Sequence, residues 1–184
     1  MMQKLAQIFE GWNGYQESLL KAAAPLSAEQ LLFKAGPGMR SMGQLIRHIA
    51  LGRLTWLARI EPVGIAEAAD RVPRWFTDGD GSRHVDEESV SPNDSRVLVD
   101  WLAVSWEPIQ RSLEAWTVSD LSRSFRHRFR GTDYAISRQW VLWRVLSHDM
   151  HHGGQLALLL AMQGIPAVEL RALGGHITEP PLFR

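Results

Sequence analysis

His148-Asp149-Met150-His151-His152 lies inside a segment from Ser137 to Gln163 that reads as one long helix. Residues four apart stack one above the other on a helix, so His148 and His152 project from the same face about one turn apart. Two imidazoles held that way can close on one divalent metal, each offering a neutral nitrogen of borderline softness. A mononuclear site needs a third ligand. The best candidate is His48, on another predicted helix a hundred residues upstream.

Working outward, four helical segments stand out. The first runs from Gln3 to Ala24, with Leu5, Ile8, Phe9, Trp12, Tyr15 and Leu19 at helical spacing and Pro25 as its stop. Ser41-Met42-Gly43-Gln44 has the capping-box form and opens a second helix to Ile60, on which Leu45, His48, Ile49 and Gly52 share a face. Residues 62–90 are less regular and read as a long crossover with short helical turns, of a kind that often contributes to binding sites. Ser91-Pro92-Asn93-Asp94 marks the start of a third helix, with Ser91 as cap and Pro92 in the first helical position. It continues to Trp116, packs through Val97, Trp101, Val104, Ile109 and Leu113, and is expected to kink at Pro108. Ser124 to Ile136 alternates around Arg130-Gly131, which predicts a small hairpin or extended loop. The fourth helix follows and stops at Gly164-Ile165-Pro166. The tail, Ala167 to Arg184, is expected to lie along the surface. The expected fold is all-α, a four-helix bundle in a single domain over 1–184, with one long crossover between helices 2 and 3.

On the fourth helix Val141, Val145, His148, His152, Gln155 and Leu159 fall on one face, so the histidines interrupt an apolar stripe. A lone histidine there is best read as a core residue bonded to a carbonyl. Two on one face, with a third facing inward from another helix, are better explained by a shared metal, because each unpaired imidazole would cost about 1–3 kcal/mol. His151 lies off that face and belongs at the rim. His84 and His127, in predicted loops, and His176, in the tail, are expected to be solvated. Gly153-Gly154 costs about 1 kcal/mol per residue relative to alanine and marks close approach by a neighbouring helix or ligand. Gln155 is either a group that orients a ligand or bound water, or a plain helix residue. His148-Asp149-x-x-His152 also has the outline of the zinc-protease signature, with the shorter aspartate in place of glutamate. An HD-type phosphohydrolase would use His148-Asp149 as a ligand pair. Neither reading finds its remaining ligands here.

Composition narrows the chemistry. The 184 residues contain no cysteine, so any thiolate must come from outside the chain. Twenty basic and twenty acidic residues balance, giving no general attraction to nucleic acid. Met1 to Trp12 lacks the apolar core of a secretory signal and no apolar run is long enough to span a bilayer; a cytoplasmic location is expected. Eight tryptophans exceed what one small bundle readily buries.

The inward histidine within Gln44-Leu45-Ile46-Arg47-His48-Ile49-Ala50, the long crossover, and Leu146-Ser147-His148-Asp149-Met150-His151-His152-Gly153-Gly154-Gln155-Leu156 followed by Gly164-Ile165-Pro166 together resemble the DinB/YfiT-like metalloenzyme superfamily. The likeness runs from Leu5 to Pro166. It implies a bundle of up-down-down-up type holding a divalent metal through three histidines, which map onto His48, His148 and His152. Zinc or nickel is the foremost choice, with iron, cobalt or manganese as further options. It also implies a homodimer, and transferase or isomerase activity using a low-molecular-weight thiol such as mycothiol or bacillithiol. Three neutral ligands leave a metal with open positions, as in catalytic sites. The leading expectation is a transferase that activates a small external thiol. The alternatives are hydrolysis by metal-bound hydroxide and a non-catalytic, metal-stabilised stress-response or binding module.

Overall fold

The structure is a computed structural model that describes residues 4–166. It is mostly helical and carries two small antiparallel sheets, so the all-α expectation is corrected. The first predicted helix is divided into α1 (Leu5–Ile8) and α2 (Glu10–Ala23). Phe9, at φ −105° and ψ 27°, breaks the helical register. The break lets Leu5 donate to the Trp116 carbonyl at 3.1 Å while Trp12 turns into the core.

A short α3 (Ala28–Leu32) follows, capped by Ser27 and Gln30 in a reciprocal box. Ser41 and Gln44 form the same box at the start of α4 (Met42–Leu57), as the sequence predicts. Losing such a cap costs about 1 kcal/mol. Beyond α4 the chain turns tightly through Ile60, whose N–H bonds the Leu57 carbonyl at 3.0 Å.

The crossover is more ordered than its sequence suggests. It holds α5 (Ile65–Asp70), a hairpin of β1 (Trp75–Thr77) and β2 (Arg83–Val85), and a 3-10 turn over Glu87–Ser89. In the hairpin Trp75 pairs with Val85, Phe76 with His84 and Thr77 with Arg83. The long helix α6 (Ser95–Ala115) begins later than expected because Asp94, not Ser91, is the cap: its Oδ1 accepts from the Arg96 and Val97 amides. The helix runs on through Pro108. A 3-10 turn (Val118–Ser122) leads into β3 (Ser124–Phe129) and β4 (Thr132–Ser137), the second hairpin, as predicted. Its turn uses Arg130 and Gly131, both at positive φ. Asp80, in the loop of the first hairpin, accepts from both turn amides at 2.6 and 2.9 Å and locks the two hairpins together. Ser137 then caps α7 (Arg138–Met162).

α4 occupies the centre, packed against both α6 and α7, while α2 lies on α6. Contacts of α4 and the turn after it with α7 step backwards along the chain: His48 meets His152, Gly52 meets His148, Trp56 meets Trp140, and Ile60, in the turn, meets Arg138. The two helices are therefore antiparallel, and the groove between them is lined by residues spaced one turn apart. Among the described residues no helix is long and apolar enough to cross a membrane. The expectations for the tail after Pro166, including His176, lie outside the described residues.

Candidate metal centre

The structure brings His48, His148 and His152 together, with one nitrogen of each lying within 4.8 Å of the others. The nearest pair, His48 Nε2 and His148 Nε2, is 3.1 Å apart. Ring centroids are separated by 4.5 to 4.8 Å around the triangle. All three side chains are half-buried and border a cleft of about 580 Å³.

The local reasons for this geometry lie in the two facing helices. His48 comes from α4, and His148 and His152 from consecutive turns of α7. Gly52 makes the approach feasible: a Cβ at that position would sit 2.8 Å from His148 Cε1, closer than real Cβ atoms come. Gly153 plays the same part on the other side of α7, where a Cβ would collide with the Tyr15 hydroxyl. Gly154 is exposed and meets nothing, so only one residue of the glycine pair marks a close approach.

Two of the rings have partners that fix which nitrogen faces the cluster. His48 Nδ1 is 2.6 Å from Glu87 Oε1, and His152 Nδ1 is 2.7 Å from Gln155 Oε1. With Nδ1–H donating to an oxygen, Nε2 keeps its lone pair and points inward, the usual arrangement behind a metal ligand. Burial pushes His152 down to about 4, and the neighbouring histidines add to the effect, so this ring is neutral at pH 7 and ready to donate its lone pair. Burial alone would raise Glu87, but its hydrogen bond to His48 and the charges of His48, Arg40 and Arg47 bring it below the ordinary carboxylate range.

The residues present therefore fit a divalent ion. Two inward Nε2 atoms 3.1 Å apart would repel through their lone pairs unless they share a proton or a cation. Metal–nitrogen bonds of about 2.0–2.1 Å span such separations after small shifts. His48, His148 and His152 would supply three ligands, and all three line the cleft.

Asp149 is the residue whose role sequence reasoning passes over. It is fully buried and marks the centre of the buried stripe of α7, flanked by Leu142, Val145, Gly153, Leu156 and Leu160. The histidines sit on the edge of that stripe, not at its middle, and Gln155 is exposed. Asp149 accepts from Arg53 Nε at 2.9 and 3.1 Å and from Trp12 Nε1 at 3.2 Å. Arg53 Nη2 also approaches it at 2.8 Å, misaligned for a hydrogen bond. Nη1 of the same guanidinium donates to Gln16 Oε1 at 2.7 Å. Tyr15 donates to the Asp149 backbone carbonyl at 2.7 Å. Asp149 is thus committed to the core. Its Oδ1 stays 4.0 Å from His148 Nδ1, beyond hydrogen-bonding distance, and it cannot act as the general base of a zinc-protease signature.

His151 is exposed at the rim, as expected, and meets Gln155 Nε2 at 3.3 Å. His84 and His127 depart from expectation, because both lie on strands and are half-buried. His84 lines the cleft, with Nε2 2.8 Å from Asp78 Oδ2. His127 stacks edge-on against Trp56 at 5.7 Å.

Comparison with known proteins agrees with this architecture. No curated protein matches the chain. Among solved structures, a DinB-like protein from Bacillus cereus superposes with a TM-score of 0.63 at 19% identity, over 92% of this chain and 99% of that one, which speaks to the fold. The family model of the DinB superfamily matches residues 14–156, a span that includes all three clustered histidines. By that match over most of its length, the chain belongs to the DinB superfamily.

Proposed function

We propose that this protein is a divalent-metal-dependent transferase that activates a low-molecular-weight thiol cosubstrate. The observation that carries the reading is the three-histidine cluster at the edge of an open cleft, in a chain with no cysteine of its own. A divalent ion held by three neutral ligands keeps its charge and lowers the pKa of a thiol or water that reaches it. His48, His148 and His152 would hold the ion, zinc or nickel being the best match to an all-imidazole set. Glu87 and Gln155 would orient two of the rings. Asp149 and Arg53 would fix the turn of α7 that carries His148.

The four long helices support a bundle of the up-down-down-up type with the hairpins added outside it. A homodimer completes the proposal: Trp143, Met150, Leu158 and Met162 are all exposed along the outside of α7, an apolar stripe suited to a second helix.

The test is cobalt-substituted protein titrated with glutathione, mycothiol and bacillithiol at equal low concentration, followed by turnover with an electrophile. New sulfur-to-metal absorption with one thiol, and metal-dependent thioether formation with the same thiol, are expected. A spectrum unmoved by all three, together with metal-dependent cleavage of an ester or amide, would replace the transferase with a hydrolase. Full metal loading with neither activity would leave a binding module.

A further inference from the structure

The groove that holds the histidines continues past them, and its next turn is cationic. Arg144, His148 and His152 follow one another at intervals of four on α7, so they share a face, with Arg144 about 6 Å along the helix from His148. Opposite them on α4, His48, Gly52 and Trp56 repeat the same interval. The Arg144 guanidinium lies over the Trp56 ring at 4.4 Å and 5.9 Å from Trp140. Phe76 and Thr55 complete this end of the cleft.

The charges of the cleft do not cancel locally. Two of its three carboxylates are ion-paired, Asp86 with Arg74 at 2.6 Å and Glu88 with Arg47, while Glu87 accepts from the His48 ring and has Arg40 as a nearby opposite charge. Its two arginines are not paired in this way. Among the described residues neither Arg40 nor Arg144 has a hydrogen-bond acceptor or a carboxylate within ion-pair distance for its guanidinium. Arg59, stacked on Trp56 at 4.6 Å, adds a third positive charge behind Arg144. A cleft already bearing unpaired guanidinium, and gaining two more charges when a divalent ion is bound, attracts an anion and repels a cation.

We infer that the cleft binds a small organic oxyanion, with its carboxylate or phosphate on Arg144 and its adjoining apolar part against Trp56 and Phe76. The inference rests on the metal-site reading for the place of the reacting atom, about one helical turn from the anionic group. The planar guanidinium fork suits paired oxygens, and the indole beneath it keeps the fork oriented without consuming its N–H donors. Arg40, across the rim near Glu87, contributes field more than contact.

Calorimetric titration of the metal-loaded protein with benzoate, phenyl phosphate and neutral benzamide tests this. Both anions are expected to bind in the millimolar range or tighter, with benzamide at least tenfold weaker. Tighter binding of one anion identifies the class of oxyanion. Arg144→Gln should weaken anion binding at least tenfold and leave metal content unchanged. Arg144→Lys should recover part of the loss. Benzamide binding as well as benzoate, equal anion affinity in wild type and Arg144→Gln, or no anion binding at all would overturn the inference. Benzoate binding that disappears with the metal but survives Arg144→Gln would also overturn it, by placing the anion on the ion. Arg144-dependent binding in a protein that no thiol activates would leave this subsite standing and remove the transferase reading alone.

Discussion

Arg53 and Asp149 form an ion pair in which both side chains are fully buried, one residue along the chain from His148. A buried pair contributes little net stability because desolvation offsets attraction, but removing one partner leaves an uncompensated charge and costs about 3–5 kcal/mol. Arg53→Met and Asp149→Leu are each expected to lower the unfolding free energy by that amount in urea titrations. The double variant should recover most of the loss. Single variants within about 1 kcal/mol of wild type would show that the pair is not sealed from water.

Metal content separates the neighbouring histidines. Purified protein is expected to carry about one divalent ion per chain, and alanine at His48, His148 or His152 to remove most of it. His151→Ala should retain it, since that ring is exposed and turned toward Gln155. Metal analysis by mass spectrometry decides the matter; full retention in the His48 variant would discard the third ligand.

Gly52→Ala sets stability against affinity. Alanine favours the helix by about 1 kcal/mol, yet its methyl group would press on the His148 ring at 2.8 Å. Metal affinity is expected to fall at least tenfold while the melting temperature of the metal-free protein stays level or rises. Unchanged affinity would mean that the His148 ring keeps its place in the cluster despite the added methyl group.

Tyr15 offers a pH readout. Burial first, then the charge of Asp149, raises its phenol well above the ordinary value, and the Arg53 charge only partly opposes them. A folded-state pKa above the unfolded one means a contribution to stability that is complete below about pH 10, the unfolded value, and is lost as pH rises toward the folded value. In a Tyr134→Phe background, which leaves one tyrosine, ultraviolet titration should show phenolate only together with alkaline unfolding. Smooth ionisation of the folded protein near pH 10 would contradict the buried position.

Self-association is checked by light scattering at micromolar concentration. A dimer mass is expected, falling to monomer in Trp143→Glu, because this tryptophan is 66% exposed on the outer face of α7. A monomeric wild type would refute the dimer.

The parts of this protein written in helical periodicity are the parts legible beforehand. His148, His152 and His48 declare themselves because each interrupts or borders an apolar stripe at regular spacing, and the structure unites them. Asp149 and Arg53 carry a similar signal that was easier to overlook: each sits in line with buried aliphatics, Arg53 with Ile46, Ile49, Ala50 and Leu57, where a surface charge would be out of place. Ser27-Ala28-Glu29-Gln30 repeats the capping box of α4, and Asp78-Gly79-Asp80-Gly81-Ser82 is a turn between two short strands, so α3 and the first hairpin had local signatures too. Glu87 had none. It reaches His48 from a 3-10 turn in an aperiodic crossover, and only the tertiary path of that crossover places it there.

The hundred residues between His48 and the two histidines of α7 impose an order of events. A chain emerging from synthesis has His48 early, but the triangle closes only after the crossover, α6 and the second hairpin have been made and α7 has docked on α4. Long-range pairings of this kind are slow to form because loop closure must precede the contacts that reward it. Capture of an ion by all three rings would therefore be among the last steps of maturation, and a chain truncated before α7 would lack two of the three ligands. An ion at this site would be loaded only once α7 has docked on α4 and the place for it exists.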